Sequence, residues 1–395
     1  MVGGRHRAPG EGMRLLIFAG EHPAHIQHVQ SVMDACDLAG DEYVFYIGKE
    51  APGPGTFSPK NPFLHRLRDF CWDRFGITRN RFDSHNFDWI RKVERGGTYR
   101  CKAIKGTLPW KPDLVLVVTP HEGHARYQVV PWARREGIPV LSIDHGMPTV
   151  AWPWSAYRGS MMGCAANAVW SEVCRDINIQ LGSPAELQVI TGSPSIDGMG
   201  TGSEAIDSLG IADDKRVILL LGTHRPSVKE PTDALFREVI QTYGDDSDYQ
   251  IVFKPHPVEI SQGTVIDVVD SVILTTDQRA YLPLVGRADV IISPPTSVVV
   301  PATAFGRAFV NTLAPGCGAA PEADIQRVLD RLGAAVFSPD RVHEVIRGEI
   351  KVDVAACEIA FTRFGYKRDG GNGSRVLSLA RHLAKGGAPE GWESP

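Results

Sequence analysis

Short apolar runs recur along this chain, each closed by Gly, Pro or a polar cluster and followed by an amphipathic stretch. In the first half the runs are Met13 to Ala19, Tyr43 to Gly48, Pro112 to Val118, Pro139 to Ile143, Ala168 to Trp170 and Leu187 to Ile190. Helix-like pieces lie between them, to Gly40 and over Arg126 to Glu136. A second series follows: Arg216 to Leu221, Tyr249 to Phe253, Ser271 to Leu274, Val290 to Ile292 and Ala308 to Asn311, with Ala335 to Phe337 as an edge. Continuous apolar runs, rather than period-two alternation, predict strands buried on both faces of a parallel sheet. Their alternation with helices predicts an α/β fold.

The pattern also divides the chain. Residues 1–12 are polar and Gly-rich and are expected as a disordered tail. Residues 13–198 form a first half, interrupted over 60–105 by an insertion that reads as helices. Gly198 to Glu204 turns to Gly, Ser and Thr, as a linker does. Residues 205–354 form a second half, and 355–385 a final helical stretch broken at Arg368-Asp369-Gly370-Gly371. Two α/β halves joined by a linker define a cleft, the usual place for a ligand.

Composition narrows the function classes. The chain has 395 residues, 43% apolar and 22% charged, and no apolar run approaches a membrane span of ~20 residues. Seven scattered cysteines show no CxxC pair, which favours reduced thiols in the cytoplasm over disulfides or zinc. A net charge of −4 does not indicate a nucleic-acid partner. The insertion differs: residues 60–105 hold 12 Lys/Arg against 5 Asp/Glu, with eight aromatics. Such a segment reads as an ordinary helical insertion or as a peripheral contact with anionic lipid at the inner membrane face.

Candidate chemistry sits where runs end, at the strand edge that binds ligands in parallel sheets. Lys254-Pro255-His256-Pro257 holds an imidazole between two prolines, beside a cation. Ser293-Pro294-Pro295-Thr296-Ser297 places two hydroxyls and free amides where a helix is expected to begin, at the prolines. Gly222-Thr223-His224-Arg225 offers a hydroxyl and a guanidinium, both suited to phosphate. In the first half, Asp144-His145-Gly146 presents an imidazole able to take a proton, with Asp144 orienting it or turned away. Thr191-Gly192-Ser193-Pro194 reads as a hinge. Glu21, His22, His121 and Glu122 follow strand ends and would line the acceptor side. His22, His25 and His28 recur every third residue, and no metal is expected there. Neither GxxxxGK[ST] nor GxGxxG follows the first strand, against an NTPase or a dinucleotide oxidoreductase.

The order Asp-His-Gly, Gly-Ser-Pro-Ser-Ile-Asp, Gly-Thr-His-Arg, Lys-Pro-His-Pro and Thr-Ser over residues 110–385 resembles the CDP-glycerol glycerophosphotransferase-like group. That resemblance implies the GT-B fold, two facing Rossmann-like domains with a C-terminal helix crossing back to the first. It implies an N-terminal acceptor domain and a C-terminal donor-nucleotide domain. His145 would be the base, with Asp144 beside it. His256, Lys254, Thr296, Ser297, Arg225 and Thr223 would bind the donor's phosphates. The activity implied is metal-independent transfer of a sugar or polyol phosphate, without a cofactor, from a nucleotide-activated donor to a hydroxyl. The acceptor would be a glycan, a lipid-linked or a small molecule, in surface polysaccharide or glycosylated-metabolite synthesis. The group often carries an acid where this chain has Pro301. Two alternatives share the fold: a non-hydrolysing UDP-N-acetylglucosamine 2-epimerase-like enzyme, using Asp144, Glu122 or Glu172, and a non-catalytic binding subunit.

Overall fold

The computed structural model describes residues 12–20, 28–48, 87–89, 104–106, 110–118, 129–144, 163–180, 182–197, 206–277, 280–294, 296, 298–313 and 336–395. In the first half these form β1 (Arg14–Gly20), α1 (Gln30–Ala39), β2 (Glu42–Gly48), β3 (Phe87–Trp89), β4 (Ile104–Gly106), β5 (Leu114–Val118) and α2 (Val130–Arg135). They continue with β6 (Val140–Ile143), β7 (Ala166–Val169), α3 (Glu172–Gln180) and β8 (Gln188–Ile190). All six main strands pair in parallel, in the order β2-β1-β5-β6-β7-β8. Every side chain of β5 and β6 is buried, as continuous apolar runs require when helices cover both faces.

The second half comprises β9 (Arg216–Leu221), α4 (Pro226–Tyr243), β10 (Tyr249–Lys254), α5 (Pro257–Gln262), β11 (Ile273–Leu274), α6 (Tyr281–Arg287) and β12 (Val290–Ser293). After them come α7 (Val299–Ala304), β13 (Ala308–Asn311), β14 (Val336–Phe337), α8 (Val342–Arg347), α9 (Val354–Gly365) and α10 (Asn372–Ala384). Its sheet is also parallel, ordered β11-β10-β9-β12-β13-β14. Counted from β9, this is the 3-2-1-4-5-6 Rossmann order, whose switch point falls between β9 and β12. Helix α4 starts with Pro226 at its first position and packs Leu235, Phe236, Val239 and Ile240 on the sheet.

The last helix leaves the second half. Val376, Leu377, Leu379, Ala380 and Leu383 of α10 join the first-half core around Leu15, Ile17, Val32 and Met33. Gly373 sits against the Ser31 backbone, where any Cβ would collide with its carbonyl. Asp197 accepts from the Asn372 and Gly373 amides (3.1 and 2.6 Å), filling the start of α10 with a carboxylate. Buried Arg375 donates to the Thr191 carbonyl and to Asp369. A second apolar cluster unites Val169, Trp170 and Cys174 with Leu219, Val299, Phe309 and Phe361, so the halves share packing. The C-terminal crossing is therefore present, through two helices separated at residues 366–371.

Two expectations change. The 60–105 insertion, read as helices, contributes β3 and β4, an antiparallel pair in which Phe87 faces Gly106 and Trp89 faces Ile104. Phe-Asp-Trp alternates and is rich in aromatics, a strand signal outweighed by the charge of its surroundings. The helix expected at Pro294-Pro295 begins only at Val299, with Val298 as its cap. Pro301 is thus the third residue of α7 and is buried among Val299, Val300 and Ala302. Of the tail expected over 1–12, residues 1–11 lie outside the described residues, as does the whole linker from Gly198 to Glu204. Among the described residues no helix is long and apolar enough to cross a membrane.

Candidate functional site

Strands β10, β9 and β12 are neighbours, so the loops leaving their carboxyl ends share one edge of the second sheet. The β9 loop turns at Thr223, whose hydroxyl accepts from the Arg225 amide at 3.2 Å. This local turn stops the strand and starts α4 at Pro226, with Arg225 as the capping residue. Arg225 and the α4 N-terminus therefore stand at the switch point. His224 is exposed in the same loop, and its ring centroid lies 4.3 Å from that of His256 on the β10 loop. Burial and then the Arg225 charge lower the His224 pKa, with Glu259 opposing.

The β10 loop is more tightly determined. His256 caps α5, and its Nδ1 accepts from the Val258 amide at 3.2 Å. Glu259 reaches back to accept from the His256 amide at 2.8 Å. The pair forms a capping box, with Pro257 at the first helical position. Glu259 is only 1% exposed, and its other oxygen accepts from the Lys229 ammonium at 2.7 Å. Burial works against the Lys229 charge, yet hydrogen bonds to Glu259 and Asp233 outweigh it and raise its pKa. Lys254 ends β10 with its side chain buried; desolvation lowers its pKa to about 8, with Asp277 opposing. Thr296, half-buried after β12, offers its carbonyl to the Val299 amide at 3.3 Å.

Of the residues predicted to bind a donor, Thr223, Arg225, Lys254, His256 and Thr296 thus lie on three adjacent strand ends; Ser297 lies outside the described residues. Glu259 and Lys229 were not predicted. Glu259 has the three-residue spacing of a capping box, but a histidine stands where its signature has Ser, Thr, Asp or Asn, so the sequence signal was weak. Lys229 carries no signal of its own, because its partner lies thirty residues away.

The first sheet ends differently. Asp144 closes β6 with its carboxylate turned into the protein, accepting from Asn167 at 3.2 Å and Asn178 at 3.1 Å. Both amides also donate to Gln188, and Ser142 donates to Asn167 at 2.6 Å. The Asp144 carbonyl accepts from the Trp170 indole at 2.9 Å. Burial pushes the Asp144 carboxyl up to about 6, against the pull of the Asn167 and Asn178 hydrogen bonds. The residue thus takes the inward one of its two predicted orientations. His28, the third histidine of its series, is buried with its ring 5.9 Å from Trp170. Glu21, His22, His121, Glu122 and His145 lie outside the described residues, as does His25. In sequence they follow the ends of β1, β5 and β6, three adjacent strands.

No family model matches this chain, and no curated protein does. Solved structures do. A Staphylococcus aureus MnaA–UDP co-structure superposes with a TM-score of 0.59 at 13% identity, covering 94% of this chain and 97% of that one. A UDP-N-acetylglucosamine 2-epimerase of Listeria monocytogenes, so described in putative terms, gives 0.60 at 12% identity over 97% and 98%. The UDP-GlcNAc 2-epimerase of Neisseria meningitidis, bound to UDP-GlcNAc, gives 0.53 at 14% over 94% and 100%. At such identities the likeness is one of fold: two parallel α/β sheets in the GT-B arrangement, over nearly the whole chain.

Proposed function

We propose that this chain is an enzyme acting on a nucleotide-activated sugar or polyol, with the donor's diphosphate held at the carboxyl edge of the second sheet. One observation carries the reading: His224, in the loop with Thr223 and Arg225 that leaves β9 beside the switch point of a 3-2-1-4-5-6 sheet, meets His256 of the neighbouring β10 loop where an 18-residue helix begins. A helix N-terminus, a guanidinium and imidazole N–H groups all favour phosphate oxygens. The structural neighbours with UDP and UDP-GlcNAc bound support the choice of ligand class.

Transfer is the first reading of the chemistry. An acceptor hydroxyl, deprotonated by His145, attacks the activated centre of the donor. The bond to the nucleotide's phosphate breaks, and the charge on the leaving phosphate is stabilised by Arg225, His256 and Thr296. Ser297 and Lys254 complete the donor set in this reading, while Glu21, His22, His121 and Glu122 face the acceptor. Cell-surface glycan or glycosylated-metabolite synthesis would use such an activity. The second reading is epimerisation of UDP-GlcNAc, favoured by the 94–100% mutual coverage with the Staphylococcus and Neisseria structures. It needs a carboxylate in the cleft. Asp144 has both oxygens engaged inside the protein, which leaves Glu172, exposed at the start of α3, and Glu122.

A nucleotide screen tests the site: UDP, CDP, GDP and their sugar conjugates are titrated, and one should raise the thermal midpoint in wild type but not in His256→Ala. No shift with any nucleotide defeats the proposal. Incubating UDP-GlcNAc without an acceptor separates the chemistries, since a change at C2 selects epimerisation. His145→Ala should end turnover while leaving nucleotide binding intact; a loss of binding would remove it from the role of base.

A further inference from the structure

The capping position of α5 is held by an unusual residue. Ser, Thr, Asp and Asn cap helices well, whereas here a histidine does so through its ring. A backbone amide can only donate, so the Val258 amide on Nδ1 requires a lone pair there, and the ring proton belongs on Nε2. Behind the ring, Glu259 is wedged between the two loops that carry the imidazole pair. One oxygen accepts from the His256 amide and the other from Lys229. On the β9 side it packs on Gly222, where any Cβ would overlap its Oε2, and the Gly222 amide donates to the Lys254 carbonyl at 3.0 Å. A buried carboxylate–ammonium pair is a poor way to gain stability, because desolvation offsets its attraction. A simple serine cap would serve a turn alone.

We propose that Glu259 is a positioning residue of the donor site: braced by Lys229, its carboxylate fixes the His256 backbone and so presents the imidazole as a neutral Nε2–H donor. This rests on the phosphate-site reading and adds how the histidine is aimed. It also explains Gly222, the one residue type that leaves room for the brace between the loops.

The test uses the full chain, with UDP as probe. Imidazole ¹⁵N NMR, with the His256 signal identified by its loss in His256→Ala, should show a single Nε2–H tautomer in wild type. Glu259→Ala should turn it into a tautomer mixture and weaken UDP by about tenfold. Glu259→Gln keeps an oxygen for the His256 amide and should retain the tautomer with affinity within about threefold. If Glu259→Ala does not fold, Glu259→Asp, too short to reach both partners, should show the same two losses. In a His256→Ala background, replacing Glu259 should change UDP affinity less than about twofold. An unchanged tautomer in Glu259→Ala, or an equal loss of affinity in both backgrounds, overturns the proposal. Normal UDP binding by His256→Ala instead defeats the phosphate-site reading, and this proposal with it.

Discussion

At the end of β6 the polar groups Ser142, Asp144, Asn167, Asn178 and Gln188 are folded inward and hydrogen-bonded to one another. At the ends of β9 and β10, His224, Arg225 and His256 are left exposed or half-exposed, and the buried brace of Glu259 and Lys229 lies behind them. The sheets share a parallel architecture, so strand pairing does not set the contrast. It arises from where the acceptors go. In the first half the Asp144 carboxylate takes up amide donors of Asn167 and Asn178, giving a buried polar floor. In the second the carboxylate satisfies backbone and Lys229, and the imidazoles and guanidinium stand exposed or half-exposed at the edge.

Breaking the floor should have the largest effect. Asp144→Ala takes one acceptor from each of the buried Asn167 and Asn178 amides, leaving them Gln188 alone, and should cost about 3 kcal/mol of unfolding free energy by urea titration. A cost under about 1 kcal/mol would mean that the cluster is not a unit. The two edges should also differ in the sign of their pH response. Asp144 is raised from 3.8 to about 6 on folding, so its contribution is fully present below pH 3.8 and is lost as pH rises to about 6. That loss amounts to about 3 kcal/mol, and the difference between wild type and Asp144→Asn isolates it. His224 is lowered on folding, so its smaller contribution is present above its ordinary pKa of 6.5 and is lost as pH falls. If stability does not drop between pH 4 and 6 relative to Asp144→Asn, the burial of that carboxyl is not what the geometry indicates.

Changes at the second edge should spare stability and reduce binding. Arg225→Ala should weaken UDP about tenfold, about 1.4 kcal/mol, with the unfolding midpoint nearly unchanged. An unaltered affinity would take the guanidinium out of the donor site. Smallest is Thr223→Ala, which removes the hydroxyl that accepts from the Arg225 amide. It should cost about threefold in UDP affinity, restored by Thr223→Ser, which keeps that oxygen. Failure of serine to rescue would point to the methyl group rather than the turn.

Much of this was legible along the chain. The unbroken apolar runs of β5, β9 and β12 gave strands buried on both faces, because no polar position interrupts them. Proline on either side of His256 marked a strand end with its imidazole on the ligand edge. The break at Arg368 to Gly371 separated the two terminal helices, and it is where residues 366–371 divide α9 from α10. Less legible was Phe87 to Trp89, whose three-residue strand is too short to stand out from the charges around it. Pro294 and Pro295 resembled a helix start, yet the chain needs four more residues before the turn of α7 closes.

The sequence by itself determined the two α/β series, their strand ends and the residue types placed there, since these depend on local periodicity and on the stiffness of proline. Only the tertiary structure decided which way those residues face. Asp144 looks in because Asn167 and Asn178, more than twenty residues away in sequence, supply the donors that a buried carboxylate needs. His256 is locked as a donor because Lys229 and Gly222, on another strand-loop-helix unit, hold and make room for Glu259. Such long-range satisfaction of buried polar groups leaves no periodic trace in one chain, and strand order is what brings the partners together.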